Sequence, residues 1–198
     1  SAVPALYGHQ VAISVTIVLL LMMLNLRGLR ESASFLLFPV YTFILVISLL
    51  IVVGLYNIVT GAVPLQATAL PGAAVPGVSI ALILRAFSSG SSSLTGVEAI
   101  SNAVPFFKKP RAKNAAATLT MMALILGFFF VGITFTNYWY GIVPEKEVTV
   151  LSQIGKAVFG HGILYYVLQF ATALILAVAA NTGFSAFPVL AYNLAKDI

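Results

Sequence analysis

At 198 residues, 61% hydrophobic and 8% charged, with a mean hydropathy of +1.07, the chain is too apolar for a water-soluble domain, in which about 25% of residues are charged. Its net charge of +5 does not indicate a nucleic-acid partner, because the basic residues cluster in short loops and form no broad basic face. The absence of cysteine excludes disulfides, thiolate metal sites and thiol chemistry.

Crossing a bilayer takes about 20 apolar residues, and five segments meet that requirement. The first is expected over 6–26 and the second over 33–59. The third, 75–104, contains a Ser/Gly run and is expected to break near 88–93. The fourth covers 115–136 and the fifth 163–190. The first is not a signal peptide, because no basic region precedes it and further spans follow. Pro39, Pro105 and Pro188 are expected to kink or end helices. Between the last two spans, 149–159 places Val150, Leu151, Ile154 and Val158 on one helical face. That pattern suits an amphipathic helix on the outer surface, and equally a segment packed on neighbouring helices. An odd number of spans without an initiator Met predicts a piece of a longer polypeptide; no internal repeat is visible.

Lys and Arg in the loops set the orientation. Arg27, Arg30, Lys108, Lys109, Arg111, Lys113 and Lys196 share one side, and only Lys146 and Lys156 lie opposite. The richer side is therefore assigned to the cytoplasm. The first span then starts outside, and the last ends inside, in an inner or plasma membrane. Tyr138, Trp139 and Tyr140 suit the outer headgroup level. His9 and His161 are also expected to face headgroups, and Arg85 lies within the third span.

The third span carries the strongest chemical signal. Phe87 to Gly96 contains five serines, two glycines and a threonine. Serine competes for backbone hydrogen bonds and glycine adds freedom, so both weaken a helix. Unwound backbone at membrane depth survives only against protein or a wet cavity. Transporters use such breaks to coordinate ions and substrates. Glu98 follows, an ionisable group at membrane depth and so a functional candidate. Thr95 and Glu98 share a helical face, with Asn102 one turn on. A hydroxyl and a carboxylate suit a hard cation. Gly90 and Ser92 lie in the run itself. Small residues also serve close helix packing, and that role fits the serines individually better than ligation. Asn181, Thr182 and Ser185 in the fifth span form a weaker candidate ion site, again with helix packing as the simpler account.

Enzyme signatures are lacking. There is no H-E-x-x-H, no G-x-S-x-G and no phosphate loop. Gly183-Phe-Ser-Ala-Phe187 misses the nucleophile elbow by its final glycine. No residue cluster calls for a cofactor.

Three stretches resemble the amino acid–polyamine–organocation (APC) transporters. Leu24-Asn-Leu-Arg-Gly-Leu-Arg-Glu-Ser32 is similar to the link before their fifth span. Leu94-Thr-Gly-Val-Glu-Ala-Ile-Ser-Asn102, with the serines before it, resembles their broken sixth span. Ala180-Asn-Thr-Gly-Phe-Ser-Ala-Phe-Pro188 resembles the end of the eighth. Within the superfamily the pattern is most similar to the KimA-type potassium–proton symporters, near the KUP potassium importers. Val97 stands where amino-acid permeases often carry an aromatic residue, and Ser91 where many relatives are expected to carry cysteine.

The resemblance implies an all-α membrane protein with the LeuT-type fold of two inverted five-span repeats. This chain would supply spans four to eight, and the remaining spans of the full-length protein would complete the site. It further implies potassium bound at Thr95 and Glu98, proton-coupled import by alternating access, and no enzymatic activity. Potassium, a proton and the bilayer are then the partners, and a homodimer is compatible. Two alternatives stand beside it: a proton-coupled amino-acid permease of the same fold, and a non-transporting membrane subunit in which Glu98 only fixes helix packing.

Overall fold

The computed structural model describes residues 8–26, 33–65, 79–91, 100, 104, 107–145 and 148–196. Among the described residues there are six helices: α1 (Gln10–Leu26), α2 (Ala33–Val59), α3 (Ile80–Ser91), α4 (Arg111–Trp139), α5 (Val150–Phe159) and α6 (Ile163–Lys196). Among the described residues there is no strand, only an isolated bridge between Glu145 and Val148. The protein is all-α.

Among the described residues, three helices contain segments long and apolar enough to cross a membrane: Leu37–Val59, Arg111–Trp139 and Ile163–Asn181. α1 and α3 are shorter, at 17 and 12 residues, or roughly 26 and 18 Å at 1.5 Å per residue. Pro39 does not end α2, and α6 runs on past Pro188. Large apolar side chains such as Phe38, Leu124, Phe130 and Phe170 stand exposed. A surface that apolar is made for lipid or protein contact, not for water.

The chain divides into two compact units, Ser1–Gln66 with Thr136–Ile198, and Ala67–Phe135. In the first unit α6 packs on α1, α2 and α5, and α5 also packs on α2. α2 contributes Val46, Ile47, Leu50 and Ile51 to the core. These recur at the three- and four-residue spacing of one helical face. Leu45 and Val52, equally apolar, point outward. Ile154 of α5 and Leu168 and Ala171 of α6 complete the core, all fully buried. Gly54 on α2 permits a close approach: a Cβ there would stand 3.0 Å from Thr136 Cγ2 and 3.5 Å from Val158 Cγ2.

α5 has well-defined ends. Thr149 is extended at its N-cap, and its hydroxyl accepts a 3.3 Å bond from the Ser152 amide. Gln153 Nε2 donates back to the Val148 carbonyl at 3.2 Å. At the other end Gly160 adopts φ +64, open to a residue without Cβ, and its N–H bonds the Lys156 carbonyl at 2.9 Å. The residues buried on α5 are Ser152, Ile154 and Gly155. The segment is therefore a helix seated on α2 and α6, and two of its three buried residues are small rather than apolar.

In the second unit, Ser79 caps α3 by accepting from the Leu82 amide at 3.2 Å. All of α3 is exposed. α4 starts where Asn114 Nδ2 donates to the Lys108 carbonyl at 2.9 Å. Along α4, Thr118 and Thr120 turn their hydroxyls onto the carbonyls four residues back, so their polar groups are matched within the helix.

Candidate functional site

The residues singled out from the sequence divide into three groups. Gly90 is exposed in the last turn of α3, where Ser91 Oγ donates to the Phe87 carbonyl at 2.9 Å. Ser92, Thr95, Glu98 and Asn102 lie outside the described residues. Asn181 is half-buried on α6. Thr182 and Ser185 follow on the same helix, within one turn of it, although their side chains lie outside the described set.

A cavity of about 850 Å³ opens in the first unit, between the turn after α4, α5 and the start of α6. Its walls include Tyr140, Glu145, Ser152, Lys156, His161 and Tyr165. The His161 and Tyr165 rings meet edge to face at 6.2 Å, and Tyr165 and Tyr166 at 5.6 Å, the arrangement that aromatic quadrupoles favour. The wall thus combines a carboxylate, an ammonium, an imidazole and phenols.

Two of these wall residues, Ser152 and Tyr165, belong to a buried polar cluster. Ser152 Oγ receives a 2.8 Å bond from Gln169 Nε2 and shares a 3.1 Å bond with Tyr165 Oη. Ser152 and Tyr165 are 4% and 5% exposed. Burial of such groups is tolerated because each has a partner. Two more bonds tie the ends of α2 and α4: Trp139 Nε1 donates to the Val63 carbonyl at 3.1 Å, and Asn57 Nδ2 to Tyr140 Oη at 3.4 Å. Asn137 Oδ1 is buried without a partner among the described residues.

Tyr140 is 6% exposed and hydrogen-bonded to Asn57, whereas Tyr138 is 65% exposed. Ser152, Tyr165 and Gln169 attract no attention in sequence, since a neutral polar residue in an apolar helix has no special signature. The spacing of two small residues, Ser152 and Gly155, on one face of α5 is the one available hint.

Residues 2–197 match the profile of the family described as amino acid permease. The chain belongs to the amino acid permease family. This permease chain is 54% identical, over 199 residues, to the potassium transporter KimA of Bacillus subtilis (strain 168). The match covers 100% of this chain and 33% of that protein, so the permease chain spans about a third of its relative's length. Membership in a transporter family, together with the long apolar helices, makes it an integral membrane protein, and the family is not an enzyme class.

Proposed function

We propose that the chain is part of a secondary transporter that imports potassium together with protons by alternating access. The observation that carries this reading is 54% identity along the whole chain to a potassium transporter. The apolar helices supply the membrane setting. In this reading Glu98 binds the cation or the coupled proton, and Thr95 supplies a ligand oxygen. The five spans belong to a LeuT-type repeat pair, the helix containing the Ser/Gly run is broken, and spans beyond this chain complete the site. The richer share of Lys and Arg places the loops after the first and third spans in the cytoplasm, at the plasma membrane.

The test is Glu98→Gln in the full-length protein, expressed in a host that lacks its own potassium importers. Growth at limiting potassium is expected to be abolished at normal expression. Unchanged growth would sink the assignment of Glu98. The family's description favours a second reading, a proton-coupled amino-acid permease. Uptake of rubidium against labelled amino acids in the same cells separates the two.

A further inference from the structure

α5 and α6 are joined by a turn with two glycines, the residue that leaves a backbone most freedom to bend. Gly160 sits at φ +64 and Gly162 follows two residues later. The packing opposes a hinge. Ser152 and Gly155 are three apart and face α6 together; Tyr165, Leu168 and Gln169 face back at spacings of three and four. Ser152 is the polar hub of this contact, bonded to both Tyr165 and Gln169. Gly155 is the steric one: a Cβ there would overlap Leu168 Cδ2, so any larger residue requires the buried Leu168 side chain to shift. Ile154, fully buried, and Val158, near Gly54, hold α5 on its other side. Lifting α5 away would break the bonds of Ser152 to Tyr165 and Gln169 and empty the volume around Leu168, both unfavourable.

We propose that α5 stays docked on α6 throughout the transport cycle as a rigid extension of it, with Ser152, Tyr165 and Gln169 as its positioning residues. The proposal rests on the transporter reading above. Its consequence follows from the continuity of α6, which runs unbroken from Ile163 to Lys196. Gln169 and Asn181 are about 18 Å apart along that helix. A tilt of α6 at the Asn181 face therefore carries α5 with it. The Lys156, His161 and Tyr165 walls of the cavity keep one mutual geometry while the cavity as a whole moves.

A cross-link tests this directly. The chain has no cysteine. With Gly155→Cys and Leu168→Cys, a sulfur in place of Leu168 Cγ stands 3.7 Å from a Cβ at position 155, within reach of a disulfide. The full-length protein carrying both substitutions, in a background without other cysteines, is reconstituted in vesicles for rubidium uptake. Oxidised and reduced protein are expected to import within twofold of each other. A loss of tenfold or more on oxidation, recovered with reductant, would overturn the proposal. Wild-type protein without rubidium uptake would instead refute the transporter reading. Spin labels at the exposed positions Ala157 and Phe170 supply a second measurement that needs no flux. One inter-label distance, the same in potassium and in sodium, supports docking, whereas a second population in either salt overturns it. Ser152→Ala is expected to broaden that distance distribution, and an unchanged width would remove Ser152 from its role.

Discussion

Gly155→Ala is the most searching single change to the α5–α6 contact, because two opposing effects of similar size meet there. Alanine in the middle of a helix is favoured over glycine by about 1 kcal/mol. The new methyl, however, lands on Leu168 Cδ2, with Tyr165 Cδ2 3.6 Å away and Leu168 Cγ 3.7 Å away. Leu168 is fully buried and has no water to retreat into. Overpacking of this kind costs about 1–3 kcal/mol, so the net destabilisation lies between nothing and about 2 kcal/mol. A value in that range alone decides little. Combination with Leu168→Ala decides more. Truncating Leu168 by itself costs about 2–5 kcal/mol for the vacated volume. With Leu168 shortened, the alanine at 155 no longer overlaps anything and the propensity gain remains. The double variant is therefore expected to be more stable than the sum of the singles by about 1–3 kcal/mol. Unfolding of the four full-length proteins in mild detergent, followed against added denaturing detergent, measures the cycle. Additivity to within about 0.5 kcal/mol would mean that these helices are not in contact at Gly155, and the packing argument would fall.

Three further changes probe the same end of the first unit. Ser152→Ala leaves Gln169 Nε2 and Tyr165 Oη without their shared partner and is expected to destabilise by about 1–3 kcal/mol, read as a lower thermal midpoint. Thr149→Ala removes the cap on the Ser152 amide; a loss of about 1 kcal/mol appears as hydrogen exchange in the first turn of α5 faster by about fivefold, and unchanged exchange would discount the cap. Trp139→Phe deletes the bond to the Val63 carbonyl and is expected to cost about 0.5–1.5 kcal/mol. It should also increase exchange at 60–65, whereas protection there equal to wild type would show that the bond contributes nothing.

Apolar length is plain in this sequence because a bilayer imposes it: α2, α4 and α6 each contain a long uncharged run. Which face of each helix packs is not. In α2, Leu45 is exposed and Ile47 buried, yet both are aliphatic, so no alternation of polar and apolar residues separates a core face from a lipid face. The aromatic cluster after α4 illustrates a second blind spot. Tyr138 and Tyr140 are chemically alike and two residues apart, but only Tyr140 meets Asn57, a residue 83 positions away that local sequence cannot bring to it. Glu98 stands out in the sequence for a different reason, a charge in a segment long and apolar enough to span, and it lies outside the described residues.

That contrast separates two kinds of polar residue in this chain. An ionisable group such as Glu98 draws attention in an apolar sequence because leaving one unpartnered at membrane depth would carry a large penalty. Ser152 carries no charge, and its penalty disappears once Gln169 and Tyr165 meet it. In an apolar medium the hydrophobic effect cannot choose among helix faces, so small and neutral polar residues do. Ser152 and Gly155 are residues of these types: one gives α5 a directional bond to α6, the other gives it the close approach. Removing either should loosen α5 without changing the hydropathy from which the spans are read. The Ser/Gly run before Glu98 is rich in the same residue types, and their number alone does not distinguish a broken helix from a tightly packed one. Thr95 and Glu98, rather than the serines, are therefore the positions at which substitution should separate ion binding from packing.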